Sequence, residues 1–261
     1  MSTKKKITRI EKEGGVSTPR EQRAFVPTAE SKGKATNLRV IAGVLWFLAI
    51  AAQIGAIVLV LRPPINMLWI ILLIVADLIL ASVGGILWKK SNRFDPASEK
   101  DKFRFFMQSQ LGLVIAIVAF LPLVVVILSN KNLDGKQKGI LAGVAGVALV
   151  IAGLIGTDFN PPSVEQYTEE TSRVEWLNEG VDNVYWTKSG KVYHLYSDCS
   201  YINTDRTDEI FEGTVVQSHE ANKITKLCSR CENRAVKERN LNEADYVSTI
   251  ESVTTPEESE E

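Results

Sequence analysis

The chain has 261 residues with 30 basic and 31 acidic side chains, and 45% of its residues are hydrophobic. The net charge of −1 hides three unequal regions: residues 1–36 carry +5, residues 37–156 carry +6 and residues 157–261 carry −12. A basic start, an apolar middle and an acidic end exclude one uniform globule. The acidic end also argues against nucleic acid as its partner, because nucleic-acid binders gather Lys and Arg.

Residues 1–36 are predicted to be a disordered, basic tail on the cytoplasmic side. This segment is rich in Gly, Pro, Ser, Thr and charged residues, and it lacks an apolar core pattern. No apolar segment closely follows its lysines, so we expect no secretory signal peptide.

Residues 37–156 contain four apolar stretches, each long enough to cross a bilayer as a helix. The predicted spans are about 40–61, 65–88, 105–129 and 138–156. Pro63 and Pro64 leave only a short turn after the first span, so the first two helices should form a hairpin. The pattern favours an all-α transmembrane four-helix bundle in a lipid bilayer over buried helices of a soluble protein.

The placement of Lys and Arg predicts that both termini are cytoplasmic. Three basic residues shortly precede the first span and six lie between the second and third spans, whereas the first loop has only Arg62. The more basic side of a membrane protein faces the cytoplasm. Three lysines in the third loop oppose this assignment, but free thiols near the C-terminus favour a reducing compartment. We therefore predict a multi-pass protein of the cell membrane.

Asp77 lies near the middle of the second predicted span. A carboxylate at that depth is costly and suggests a role in ion or proton movement. The alternative is a structural residue that joins two helices. We favour the alternative, because the only other ionisable residue in the spans is Lys138, at the very start of the fourth, and it cannot continue an ion path from the middle of the second.

The fourth predicted span is rich in small residues, among which Gly139 and Gly143 form a GxxxG pair. Such residues permit close helix packing. We expect packing within the bundle, with a homo-oligomer through this helix as the alternative.

Three segments follow the spans. Residues 157–180 are predicted to be an acidic linker that could include a helix over 163–177, residues 181–240 a small α+β module, and residues 241–261 a disordered acidic tail. Within the module, residues 184–187 and 191–194 predict a hairpin. Helices are predicted over 214–222 and from about Cys228 to Asn240, with His219 exposed on the first of them.

All three cysteines and one of the two histidines lie in this module. Cys228 and Cys231 form a C-x-x-C pair, in which both sulfurs can face one ion, and the spacing of His194 and Cys199 suits a strand end followed by a tight loop. We predict that these four residues bind one zinc ion in a closed tetrahedral site. A redox pair of Cys228 and Cys231, or no site, are the alternatives.

The module resembles the small zinc-binding domains related to the metal-binding domain of the Ada DNA-repair protein, which occur as appendages of bacterial membrane proteins and nucleases. The shared pattern is a hairpin ending in Tyr-His, a Cys shortly after, a helix and a terminal C-x-x-C. The matching residues are Thr187, Lys188, Ser189, Gly190, Lys191, Tyr193, His194, Cys199, Gly213, Thr214, Cys228 and Cys231, about a fifth of the chain in span. The site of Ada itself has four cysteines, whereas His194 takes one of the ligand places here. This difference argues against an alkyl-acceptor role. The resemblance implies a zinc fold, not an activity.

The sequence contains no catalytic triad, phosphate-binding loop, dinucleotide motif or H-E-x-x-H, so we expect no enzymatic activity. The leading interpretation is an integral membrane protein that displays a cytoplasmic structural zinc module for protein-partner binding or assembly. The main alternative is a small oligomeric transporter or channel regulated by the zinc domain, and a sensor of zinc or oxidant is a further one. One local basic cluster keeps nucleic-acid binding open: Lys223, Lys226, Arg230, Arg234, Lys237 and Arg239.

Overall fold

The computed structural model describes residues 5–10, 25–222, 224, 226–242 and 244–246. The chain divides into two compact units. Pro27–Ser163 form one, here called the membrane unit, and Met1–Val26 together with Val164–Glu261 form the other, here called the terminal unit. The elements in chain order are β1 (Lys6–Arg9), α1 (Ala29–Leu61), α2 (Met67–Phe94), α3 (Lys102–Ser129), α4 (Gly135–Gly156), α5 (Val164–Leu177), β2 (Val184–Trp186), β3 (Val192–Tyr193), β4 (Glu209–Gly213), α6 (Val215–Ala221), β5 (Lys226–Leu227) and α7 (Ser229–Glu238).

The membrane unit consists of α1 to α4, and all four helices are long and apolar enough to cross a bilayer. Many of their large apolar side chains face outwards, as lipid-facing residues do. The fold therefore fits a multi-pass membrane protein in a lipid bilayer, and the prediction of four apolar helices is confirmed. Alanines fill much of the interior: Ala49, Ala56, Ala81, Ala116, Ala119, Ala145, Ala148 and Ala152.

The predicted disordered tail over 1–36 differs from the structure in both parts that the structure describes. Its start contains β1, and its end belongs to α1. Thr28 caps α1 by accepting a hydrogen bond from the backbone N–H of Ser31, and the side chains of Ser31 and Ala35 are buried. Local capping and packing therefore extend the helix beyond the apolar stretch. The other residues of the predicted tail, 1–4 and 11–24, lie outside the described part of the chain.

Two glycines bring α3 and α4 into backbone contact. A Cβ atom added to Gly112 would lie 2.5 Å from the carbonyl oxygen of Gly156. At Gly139 and Gly143 an added Cβ would meet nothing within 4 Å, and both residues are exposed. The close packing within the bundle therefore uses the end of α4, while the predicted GxxxG pair lies on the outer surface of the membrane unit.

A polar network fixes the loop between α2 and α3. Asp95 accepts hydrogen bonds from Arg39, at 2.7 Å, and from Arg104, at 3.1 Å. The side chain of Gln108 accepts from the backbone N–H of Ala97 at 2.7 Å and donates to the Asp95 carbonyl at 3.1 Å. Two of the basic residues that predict the cytoplasmic side thus also hold this loop in place.

The segment after α4 runs back along α3 towards that loop. The backbone N–H of Asp158 donates to the Ser109 carbonyl at 3.0 Å. Ser163, the last residue of the membrane unit, forms a parallel bridge with Ala97. Hydrogen bonds therefore hold both ends of residues 158–163 against the membrane unit.

The terminal unit contains a small sheet of order β1-β4-β2 and a two-stranded parallel sheet of β3 and β5. β4 pairs antiparallel with β2 and parallel with β1. The core collects buried side chains from both sheets and from the helices, including Val174, Leu177, Trp186, Tyr193 and Ile210. A small C-terminal region with helices and a few strands is therefore present, as predicted.

Both predicted boundaries of this region differ from the structure. The predicted linker 157–180 contains α5, whose residues Tyr167, Val174 and Leu177 are buried. The predicted tail 241–261 contains a helical turn at 244–246, where Tyr246 is 8% exposed and packs on Trp176 with ring centroids 5.1 Å apart. Residues 247–261 lie outside the described part.

We expect Gly112→Ala to destabilise the membrane unit, because its new methyl group would overlap the Gly156 backbone, which cannot move like a side chain. Overpacking of this kind costs about 1–3 kcal/mol. Thermal unfolding of the purified chain in detergent measures the effect. Gly143→Ala is the matched control and should unfold at the wild-type temperature, and equal stability of the two variants would contradict the contact.

Candidate metal centre

The C-x-x-C pair occupies the start of α7. Cys228 is the N-cap residue, and its backbone N–H donates to the Tyr193 carbonyl at 2.9 Å. Cys231 lies in the first turn, so both sulfurs are close to the positive end of the helix dipole.

His194 reaches the same place through strand pairing. Its backbone N–H and carbonyl exchange hydrogen bonds with Tyr185 at 2.8 and 2.7 Å, which forms the antiparallel bridge that closes the predicted hairpin. β3 pairs parallel with β5 in a register that places Tyr193 opposite Leu227. The residues that follow these two partners are His194 and Cys228, so the register itself brings two ligand groups together.

Cys199 lies in a tight turn after the hairpin. Its N–H donates to the Tyr196 carbonyl at 3.2 Å, and its own carbonyl accepts from the N–H groups of Ile202 and Asn203 at 3.0 and 2.8 Å. The backbone around this cysteine is therefore fixed on both sides, as a pre-arranged ligand requires.

The four predicted ligand residues meet in one cluster. One ligand atom from each of His194, Cys199, Cys228 and Cys231 lies within 4.8 Å of all the others, and all four residues are buried. The His194 Nδ1 and Cys231 Sγ atoms are 3.7 Å apart. Tetrahedral zinc with ordinary Zn–N and Zn–S bonds requires about 3.6 Å for such a pair. The cysteines are free thiols, so the cluster could hold a metal ion.

Burial shifts the pKa values of two cluster residues, His194 and Cys231, in the direction that disfavours charge. Burial lowers the pKa of His194 to about 4, so the imidazole is neutral near pH 7, which is its ligand form. Burial also raises the pKa of the Cys231 thiol to about 12, although the backbone N–H groups of Tyr196 and Leu195 act in the opposite direction. A divalent cation at the centre would supply the charge that a buried thiolate needs.

A second polar cluster supports the backbone beside His194. Glu170 of α5 accepts a hydrogen bond from the Tyr193 hydroxyl at 3.0 Å, and the same carboxylate oxygen lies 2.7 Å from His219 Nε2. The His219 ring also stacks on Tyr167, with centroids 4.7 Å apart. Because Tyr193 precedes His194 in the chain, this cluster helps to hold a ligand-bearing strand.

The prediction that His219 is exposed is wrong, since the residue is only 4% exposed. The error arose because its partners lie on α5, which the composition assigned to a linker. Tyr167 and Glu170 are three residues apart and share one face of a helix. That spacing is the signal in the sequence that could have indicated a packed helix in place of a linker.

Two arginines of the local basic cluster, Arg234 and Arg239, are paired with acids of the same unit. Arg234 contacts Asp198 at 2.8 Å and Glu238 at 2.9 Å, and Arg239 lies 3.3 Å from Glu179. Lys223 lies outside the described residues. Paired arginines offer less free charge to a phosphate backbone, which agrees with the argument from net charge.

Asp77, the other candidate residue, is completely buried in the membrane unit. Neither of its carboxylate oxygens has a hydrogen-bond partner among the residues that the structure describes. Asp77 is thus buried without the partner that would join two helices, which was the structural role expected of it.

No protein-family description, curated protein or solved structure matches this chain. The resemblance to Ada-type domains therefore rests on the motif residues alone. The findings establish four apolar helices that fit a multi-pass membrane protein and a buried His/Cys cluster that could hold a metal ion.

Proposed function

We propose that the cluster binds one structural zinc ion and that the chain displays this zinc module at a membrane for partner binding or assembly. The observation that carries the proposal is the buried cluster of one imidazole and three thiols. Thiolate and imidazole are the ligands that zinc prefers, and four protein ligands complete its tetrahedron. Such a closed site leaves no position for a catalytic water, so the proposed role of the metal is to fold the module.

The size of the module supports a structural role for zinc. β3 and β5 have two residues each, and β2 has three. Strands this short contribute little independent stability. Zinc binding to small domains supplies about 10–16 kcal/mol near neutral pH, which matches or exceeds the whole stability of a typical domain. Zinc would therefore decide whether this region folds.

A cytoplasmic position is part of the proposal. The basic residues around the α2–α3 loop favour that side, and free thiols persist best in a reducing compartment. An acidic, metal-stabilised module on this side would bind a protein partner or support assembly. The exposed glycines of α4 give copies of the chain a surface for close packing, which supports a homo-oligomer as one form of assembly.

The purified full chain should contain about one zinc per polypeptide if one four-ligand site exists. His194→Ala and Cys228→Ser should each abolish most of this zinc and make the terminal unit sensitive to protease, because each removes a ligand that the fold needs. Metal analysis and limited proteolysis measure the two effects.

His219→Gln is the matched control, since it replaces the other histidine and keeps a nitrogen donor beside Glu170. This variant should retain its zinc. A chain without zinc that reversibly forms a Cys228–Cys231 disulfide would overturn the structural-metal proposal in favour of a redox pair.

Epitope tags should report the proposed orientation. A tag inserted between Lys131 and Asn132, in the third loop, should bind antibody on intact cells, whereas a tag at the C-terminus should bind only after the cells are permeabilised. The opposite accessibility would place the module outside the cytoplasm.

A transporter or channel is the second candidate, and the burial of Asp77 without a described partner favours it. Under this alternative, the chain in liposomes should conduct protons or monovalent cations, and Asp77→Asn should abolish the flux. Ser82→Ala, at a neighbouring membrane position, is the control and should conduct normally. Under the first proposal none of the three proteins conducts, and fluorescent flux assays distinguish the cases.

A further inference from the structure

One edge of the β1-β4-β2 sheet is formed by β1, which lies about 200 residues before its partner β4 in the sequence. β1 pairs in parallel with β4 in a register that joins Lys6 to Glu209 and Arg9 to Glu212. The N–H of Ile10 extends the pairing by donating to the Glu212 carbonyl at 2.8 Å. β1 thus lies on β4 as an added strand, which is one of the recurring ways in which proteins bind extended peptides.

The side chains of β1 match the charge of this edge. Lys6 lies 3.0 Å from a carboxylate oxygen of Glu209, and Arg9 lies 2.8 Å from one of Glu212. Residues 157–261, which supply β4, have a net charge of −12, whereas residues 1–36 have +5. Charge complementarity therefore favours a basic strand at this position.

Glu212 is built to receive an arginine. It is nearly buried, and the same carboxylate oxygen accepts from the Asn183 amide at 3.2 Å and from the Tyr185 hydroxyl at 3.4 Å as well as from Arg9. The Arg9 guanidinium is the first cause that keeps the pKa of Glu212 below its usual range. Two neutral donors orient the carboxylate, and the arginine of the added strand neutralises it.

The strand itself is held mainly by backbone hydrogen bonds and charge. Ile7 is 48% exposed, and the side chains of Lys6 and Arg9 are each 75% exposed. The Lys6–Glu209 pair is exposed enough to contribute little to stability, and the exposed side chain of Ile7 contributes little burial, so Arg9 makes the main side-chain ion pair of the strand. Ile10, at the end of the segment, packs against the core. Ile10 is therefore the one described residue of this segment that would have to leave the core for the strand to be displaced.

We propose that the edge of β4 is an acceptor site for a basic, extended peptide segment of a partner protein, and that β1 occupies this site within the chain until the partner displaces it. The inference deepens the proposed partner-binding function and rests on it. The expected ligand carries a lysine opposite Glu209, an arginine three residues later opposite Glu212, and an apolar residue directly after the arginine.

The test uses the full chain and a variant that lacks residues 1–10, both purified with membrane-mimetic support. The probe is a fluorescent peptide with the sequence of residues 4–10, and its anisotropy reports binding. A tethered strand competes at an effective concentration of about millimolar. The truncated chain should therefore bind the peptide at least about tenfold more tightly than the full chain does.

Two substitutions test the recognition itself. A peptide with Arg9→Glu should bind the truncated chain at least about tenfold more weakly, the factor expected for loss of one charge-assisted hydrogen bond. A peptide with Lys6→Glu should bind poorly to the truncated chain and regain binding when that chain carries Glu209→Lys. The full chain with Arg9→Glu keeps all of its residues and should accept the wild-type peptide better than the unaltered chain does.

Metal content of the same samples separates this inference from the proposed zinc function. A truncated chain that keeps its metal and its protease resistance but binds no peptide would overturn the acceptor site and leave the zinc proposal standing. If the truncated chain unfolds and the Arg9→Glu chain also takes no peptide, β1 is a fixed part of the module and the inference is wrong. A full chain that is a dimer, and becomes a monomer when peptide is added, would assign the edge to a second copy and contradict the partner proposed here.

Discussion

The terminal unit gathers four polar side chains, one imidazole and three thiols, in one buried place, and this cluster could hold a metal ion. The imidazole of His194 and the thiols of Cys199, Cys228 and Cys231 are buried away from water. Burial makes the charged forms of such groups costly, and a cation bound among them would offset that cost. The local backbone brings these side chains together, because the strand register, the turn at Cys199 and the start of α7 each position one or two of the four residues. The two-residue strands β3 and β5 position His194 and Cys228, the residues that follow them. Strands this short contribute little stability of their own.

The parts of this architecture that could be predicted from sequence are those with a local signal. Four apolar stretches identify α1 to α4 because length and hydropathy are properties of each segment alone. The four residues of the cluster could be chosen as candidate ligands because the chain has only three cysteines, and all of them lie in one short region. Two ligands in C-x-x-C spacing require no knowledge of the rest of the fold.

The parts that could not be predicted depend on partners distant in the chain. The sequence of β1 is that of a charged tail, and only its pairing with Glu209 and Glu212, about 200 positions later, makes it a strand. His219 resembles a surface residue until Glu170 and Tyr167 are known to lie on a helix that packs against it. Small residues show the same difficulty in the membrane unit. Composition makes Gly143 and Gly156 equivalent, and only the tertiary contact of Gly156 with Gly112 separates them.

The contact between Gly112 and Gly156 also fixes where α4 ends relative to α2 and α3. α4 ends at Gly156, which lies beside Gly85 of α2 and Gly112 of α3. At about 1.5 Å per residue, α2 continues for about 14 Å beyond Gly85, and α3 begins about 15 Å before Gly112. α4 therefore ends about 14–15 Å short of the neighbouring ends of α2 and α3, measured along the helices. Residues 157–163 cover this distance and reach the α2–α3 loop, where Ser163 forms a parallel bridge with Ala97. The departure point of the chain is consequently set by the α2–α3 loop and its Arg39–Asp95–Arg104 network, and not by the length of the last helix.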